Sequence, residues 1–402
     1  MLNMKKIKRL FLLLVVVTLM LSTGCKKKEP EKEPEVEEPP VEEVSVKTGV
    51  SESMINEFGN IFTELKTQEL YDASFELGDI LTIRFLDEEV DAPFVTTYSD
   101  VTSLSTGIFA LDDYDTITLA INMGDFATYY GIAEKQVDGD NTTWKINSAS
   151  GEPVEMVFTL KEKGGYLDEY MIMQLKYSNV REDYPQLSDE EFANFRNIAT
   201  TGMGKNVLFR SSTTVDDFYN RAKYADKAAR DHHIAFVLNL TDDEVNLVKI
   251  PGYEETYFST IDHLAKNINL DVTSEENKKD TAEFLRTLAN HKGPYLVHCL
   301  QGKDRTGYFC ALVELLMGAS FEEIVDDYML TYYNWFGVTK EDESYQVIAD
   351  NNIVNTLQTV LETKDLKNAD LTAETYQFML EIGLSEKEIE DIKSNLSTDY
   401  PD

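Results

Sequence analysis

From Gly293 to Met317 the chain reads GPYLVHCLQGKDRTGYFCALVELLM, and this stretch restricts the fold more than any other. Tyr295 to Val297 is a short apolar run behind the turn signal Gly293-Pro294. His298 to Arg305 is mostly polar and contains a glycine, and Thr306 to Met317 is apolar almost all round before Gly318. A helix without a polar face has to be buried, here with its N-terminus against the loop before it. Strand, loop and buried helix in that order form an anion site, since consecutive backbone N–H groups curl inward and the helix terminus adds partial positive charge. Around it, β-type runs such as Ala235 to Leu240 alternate with helical stretches from about residue 205, which predicts a mixed α/β domain. Ser188-Asp189-Glu190-Glu191 and Ser320-Phe321-Glu322-Glu323 are capping boxes that start helices, and residues 370–396 form one or two amphipathic segments.

The preceding stretch, residues 50–187, has a different texture. Ile80 to Phe85, Thr116 to Met123, Trp144 to Asn147, Val154 to Leu160 and Tyr166 to Lys176 read as short β runs separated by turn signals such as Asp138-Gly139 and Gly164-Gly165. Alternation in Thr116-Ile117-Thr118-Leu119-Ala120-Ile121 gives each strand one buried face. A small antiparallel β-domain is expected, sandwich or barrel, so the chain as a whole is α+β. No cluster in this region has the chemistry of a catalytic site.

Residues 1–24 combine a basic start (Lys5, Lys6, Lys8, Arg9), an apolar run from Leu10 to Leu21 and small residues before Cys25. That pattern is an export signal, too short to span a membrane comfortably. Residues 25–49 follow as a tether of charge and proline that cannot bury a core. Leu21-Ser22-Thr23-Gly24-Cys25 resembles the lipobox of bacterial lipoproteins, with Ser22 where leucine is usual. The resemblance implies a diacylglycerol on Cys25 and an extracytoplasmic protein held at the membrane, since two acyl chains anchor stably where one does not.

Charge limits what the chain can bind. Asp and Glu total 73 against 37 Lys and Arg, a formal charge of −36, which repels nucleic acid at long range. Any anion site must act at short range. The cysteines Cys25, Cys299 and Cys310 have no zinc or disulfide-scaffold spacing, and no histidine stands in a ligand motif, so neither metal nor cofactor is expected. Cys310, on the apolar helix, reads as core packing, with a regulatory disulfide to Cys299 as the alternative.

Cys299 opens the 298–305 loop and Arg305 closes it. A thiolate is the reactive form of cysteine, and the field that draws an anion into such a loop also favours the thiolate. Arg305 presents a planar fork of donors that matches two phosphoryl oxygens, which a lysine cannot imitate. His298-Cys299-Leu300-Gln301-Gly302-Lys303-Asp304-Arg305-Thr306-Gly307 resembles the HCxxGKDRTG signature of bacterial tyrosine and dual-specificity phosphatases, in the cysteine phosphatase superfamily, and matches it at every specified position. The likeness extends over about residues 200–345, including Phe209-Arg210-Ser211-Ser212. It departs at Asn239-Leu240-Thr241, where many relatives carry Asp-Leu-Arg.

The resemblance implies a central mixed sheet flanked by helices over 188–402, and a two-step, metal-free hydrolysis through a phosphocysteine on Cys299. Leu300, Gln301, Gly302, Lys303 and Asp304 would then cradle phosphate, with His298 fixing the loop from behind and the Thr306 hydroxyl serving the sulfur leaving group. Asp271 is the expected general acid by place and order, in the loop between Ile268 to Leu270, read as a strand end, and a capping box at Thr273-Ser274-Glu275-Glu276. Asp304 and Asp242 or Asp243 are the alternatives. For substrate, a phosphoprotein is expected, with an inositol phosphate or phosphoinositide as the alternative because of Lys303. A silent phosphate-binding module would need no nucleophile.

Overall fold

The computed structural model describes residues 44–401 apart from 139–140, 149–150 and 152. The export signal, Cys25 and the tether up to residue 43 lie outside the described residues. From Val44 onward the chain is one compact unit.

Strands form where apolar residues alternate. β1 (Ser45–Val50), β2 (Ile61–Lys66), β3 (Ile80–Phe85), β4 (Glu88–Val95), β5 (Thr106–Phe109), β6 (Thr116–Ile121) and β9 (Val154–Glu162) build a seven-stranded sheet in the order β1-β9-β3-β4-β5-β6-β2. β7 (Ala133–Asp138) and β8 (Asn141–Ile146) pair separately. All neighbours in the large sheet are antiparallel except β4 and β5. Its edge strands β1 and β2 lie against each other, so the sheet curls into a nearly closed barrel rather than a sandwich. Ile61, Leu81, Ile83, Phe94, Leu119 and Phe158 fill it, all fully buried.

Two expectations fail in this region. Ser45–Val50, assigned to the tether, is a strand paired along its whole length with Val154–Thr159. Tyr166 to Lys176 is not a strand but carries a helix, Leu167–Met173, with Asp168 and Glu169 in its first turn, where the helix dipole favours acid. Its apolar residues recur at helical rather than alternating spacing and serve two cores. Tyr166 and Tyr170 pack on Val95 and Phe109, while Ile172 packs on the core of the C-terminal half.

In that half, β10 (Arg196–Asn197), β11 (Leu208–Ser211), β12 (Phe236–Asn239), β13 (Asp262–Ala265) and β14 (Tyr295–His298) form a mixed sheet in the order β10-β11-β14-β12-β13. All pairs are parallel except β10 with β11. Residues of β14 alternate between faces: Tyr295 and Val297 join the core under the helices Glu275–Asn290 and Asp304–Met317, and Leu296 faces the helix Ala222–Asp231. Covered on both faces, the central strand is apolar from Tyr295 to Val297. Each such side chain contributes about 1.5–3 kcal/mol by leaving water.

Of the three predicted capping boxes, those at Ser188 and Ser320 form, and residues 370–396 hold two helices, Leu371–Glu381 and Glu386–Leu396. The apolar helix begins at Asp304, so Arg305 stands in its first turn. Ile268 to Leu270 is not a strand, because β13 stops at Ala265, although the Ile268 N–H still donates to Leu240 O at 3.2 Å. The following helix is capped by Ser274 alone, whose side chain accepts from Asn277 N. Among the described residues no helix is long and apolar enough to cross a membrane.

Candidate active site

The loop after β14 is shaped by what holds its carbonyls. Leu300 O accepts from Thr213 N at 3.1 Å. Gln301 O accepts from the indole N–H of Trp335 at 3.1 Å and from Asn194 Nδ2 at 3.2 Å. Gly302 O accepts from Arg210 Nη2 at 2.9 Å and Asn194 Nδ2 at 3.1 Å. With three successive carbonyls drawn into the protein, the intervening N–H groups are left to the opposite side, which is the geometry of an anion nest. Gly302 is required twice over: its φ is +68°, and a Cβ there would stand 2.1 Å from Ser211 O.

Cys299 lies at the base of this loop, 4% exposed. Arg305 is fixed at its edge, Nη1 donating to Leu240 O at 3.1 Å and Asn267 Oδ1 at 2.7 Å. The Thr306 hydroxyl is buried with no hydrogen-bond partner among the described residues. Lys303 folds against aromatic rings, its ammonium 5.4 Å from the centre of Tyr332 and 5.8 Å from that of Phe336. Asp304 sits 3.8 Å from that ammonium and accepts from the Tyr328 hydroxyl at 3.3 Å. His298 is fully buried with Nδ1 3.3 Å from Cys299 O. Burial, helped by Arg305 and His263, lowers its pKa to about 4, so the imidazole is neutral at neutral pH.

The candidate acids stand in different surroundings. Asp271 is exposed and turned onto its own loop, accepting from Thr273 Oγ1 at 2.6 Å and Thr273 N at 3.0 Å, and these bonds hold its carboxyl below the usual range. Asp242 is half-buried after β12, accepts from Asn239 Nδ2 at 3.0 Å, and lies within electrostatic reach of Arg305 and Asp216. Burial pushes its carboxyl up, against the hydrogen bond from Asn239. Asp243 accepts from Asn267 N at 3.3 Å.

Several supports of the loop were not singled out in the sequence. Arg210, 1% exposed, bonds Gly302 O on one side and Asp327 on the other, and Asp327 also takes Arg196 Nε at 2.8 Å. Burial works against the charge on Asp327, yet the two guanidiniums hold its carboxyl below the usual range. Nearby Glu314 forms no ion pair among the described residues, and burial raises its pKa well above normal, helped by Asp327 and opposed by Arg210. Burial likewise pushes the Cys310 thiol up, in keeping with a core role. Asn194 supports the loop from a left-handed backbone (φ 54°), which asparagine tolerates. Trp335 rests on the guanidinium of Arg221, 3.6 Å from its ring centre.

Residues 185–398, just over half of the chain, match the sequence model of the tyrosine phosphatase family. The chain belongs to that family. Residues 54–137 are similar to the SAM hydroxide adenosyltransferase C-terminal domain. Among solved structures, the core catalytic domain of the PP-IP phosphatase SIW14 from S. cerevisiae is similar at 19% identity, covering 39% of this chain and 92% of that one, with a TM-score of 0.25. The Yvh1 phosphatase domain from Chaetomium thermophilum is also 19% identical, over 37% and 92% of the two chains, with a TM-score of 0.22. An uncharacterized conserved protein from Thermotoga maritima shares 19% identity over 35% of this chain, at a TM-score of 0.22, and the match spans only 42% of that protein. No curated protein matches the chain.

The buried His298 gives a pH signature. The unfolded imidazole titrates near about 6.5 and the folded one near 4, so the unfolded state takes up the proton first. Its contribution is complete above pH 6.5 and is lost as pH falls towards 4, at most about 3 kcal/mol. In His298→Asn, the slope of unfolding free energy against pH between 6.5 and 4 should fall by about one proton, read from urea unfolding at several pH values.

Proposed function

We propose that the chain hydrolyses phosphomonoesters through a phosphocysteine on Cys299, acting on phosphotyrosine or with dual specificity on phosphoproteins. The observation that carries this reading is the loop itself, with carbonyls drawn away, the sulfur at its base and the Arg305 fork at its edge. In the first step Cys299 Sγ attacks phosphorus, the P–O bond to the substrate breaks, and the leaving oxygen takes a proton from a carboxylic acid. Water then gives a proton to the carboxylate left by the first step and attacks the phosphocysteine, the S–P bond breaks, and the Thr306 hydroxyl, buried and without a partner among the described residues, donates a hydrogen bond to the departing thiolate. Charge that spreads onto the phosphoryl oxygens meets the loop N–H groups and Arg305. None of these steps requires a metal.

Asp271 is the acid by its place in the chain. A second reading, Asp242, is supported by its half-buried carboxyl, its raised pKa and its reach to Arg305. For the substrate, Lys303 favours an inositol phosphate. Its placement over Tyr332 and Phe336 beside Asp304 opposes that, since the ammonium is already engaged, and this supports a singly phosphorylated group. At the N-terminus we propose a lipid on Cys25, which would hold the enzyme on the outer side of the membrane by the tether.

Cys299→Ser should remove turnover of phosphotyrosyl peptide while vanadate still binds, seen by calorimetry; a variant that still turns over substrate would overturn the mechanism. Asp271→Asn should slow a phosphoseryl peptide at least tenfold more than p-nitrophenyl phosphate, because an alkoxide needs the proton and nitrophenolate does not. If Asp242→Asn gives that pattern instead, the second reading holds. In membrane fractionation, Cys25→Ala should move the protein from the membrane pellet to the soluble fraction.

A further inference from the structure

Behind the groups that hold the phosphate loop lies a cavity of about 630 Å³. Its walls are one face of the helix Phe321–Phe336, the edge strand Arg196–Asn197 and the segment 338–340. Met329, Leu330, Tyr333 and Val338 make most of the surface apolar. Leu330 is 47% exposed, so the cavity has a way in from solvent. Sites for small molecules have this character, with roughly 300–1,000 Å³ of apolar space and a few fixed polar groups. The charged groups on the walls already have partners. Asp326 takes Lys340 Nζ at 2.6 Å, and Arg196 Nε meets Asp327 at 2.8 Å. Glu323 accepts from the N–H groups of Ser320 and Thr201, both at 2.8 Å. A charged occupant would have to break one of these contacts, whereas an uncharged one leaves them intact. Asn197, also on the wall, has an acceptor to spare, since its Oδ1 is buried without a hydrogen-bond partner among the described residues. A buried acceptor left alone is costly, so the occupant that fits brings one donor on an apolar body.

Two walls of the cavity lead to the phosphate loop. Arg196 Nη1 donates to Asn194 Oδ1 at 2.6 Å, and Asn194 Nδ2 donates in turn to Gln301 O and Gly302 O. Asp327 meets Arg210, which holds Gly302 O from the other side. An apolar occupant takes water away from the Arg196–Asp327 pair, and charges in drier surroundings attract more strongly. The loop is then held more firmly in the shape that receives phosphate.

We propose that this cavity is a regulatory site for an uncharged aromatic molecule with one N–H or O–H donor, which bonds Asn197 Oδ1 and, once bound, tightens phosphate binding at the loop. A rigid ring fills apolar space at little cost in entropy and carries its donor in a fixed direction. The coupling rests on the phosphate-binding role proposed above for the loop, whereas the cavity as a binding site does not.

The test titrates the full chain with indole and 1-methylindole by NMR and with vanadate by calorimetry. Indole should bind the wild type, and 1-methylindole, which lacks the donor, should bind roughly 3- to 10-fold more weakly. Asn197→Ala should bind the two alike. Leu330→Glu, at an exposed position of the wall, should weaken indole at least about fivefold while turnover without indole stays within about twofold of wild type. At saturating indole the vanadate Kd should fall about fivefold, and saturating vanadate should lower the indole Kd by the same factor, because coupling is reciprocal. Absence of indole binding, equal binding of both indoles to the wild type, or undiminished binding to Leu330→Glu overturns the site. A vanadate Kd that stays constant or rises overturns the coupling. A wild-type chain that binds no vanadate overturns the role of the loop and the coupling with it, while the indole titrations still decide the cavity.

Discussion

Arg210 joins the two halves of the problem this fold has to solve. One of its amino groups holds Gly302 O in the loop, and another meets Asp327 in the helix Phe321–Phe336. A buried guanidinium is costly unless its donors are satisfied and a counter-charge is at hand, and removing a partner from such a pair is worse than never having had one. Asp327 supplies the charge and is shared with Arg196, which also bonds Asn194 Oδ1 at 2.6 Å. Asn194 returns to the loop through its amide, so the network closes on itself. The loop's shape is therefore fixed from behind by buried ionic groups.

That arrangement explains how so acidic a chain can offer an anion site. At a formal charge of −36, long-range attraction for phosphate is absent. The site relies on backbone dipoles, a helix N-terminus and one guanidinium, which act over a few ångströms and are little affected by distant charge. Lys303 and Asp304 face each other, and the buried His298 is neutral, so cationic charge at the loop rests mainly on Arg305.

The barrel connects to this machinery by packing as well as by covalent linkage. Ile172, on the helix leaving the barrel, enters the core of the phosphatase fold, and the segment after it is bonded to Trp335, Asn220 and Arg221. Trp335, whose indole N–H holds Gln301 O, is thus tied to residues before 185, where the family match begins. Changes in the barrel have a physical route to the loop, through the hydrogen bond from the Tyr184 hydroxyl to Trp335 O.

The sequence by itself determined the elements whose signals are local. The apolar helix after the loop, the strand before it, the glycine at 302 and the capping boxes at Ser188 and Ser320 followed from periodicity and turn chemistry within a few residues, whereas the central mixed sheet was implied by the family resemblance. Tyr166 to Lys176 was misread because a short run with many apolar residues fits either period, and only its packing on two cores decides for helix. Ser45–Val50 was missed because a half-exposed edge strand needs its partner, β9, to be recognised. The supports of the loop were beyond reach for the same reason: Arg210, Asp327, Asn194 and Trp335 are far apart in the chain, and their roles exist only once the fold brings them together. The distinct surroundings of Asp271 and Asp242 were likewise decided by tertiary structure, since burial and the distance to Arg305 are not properties of any stretch of sequence.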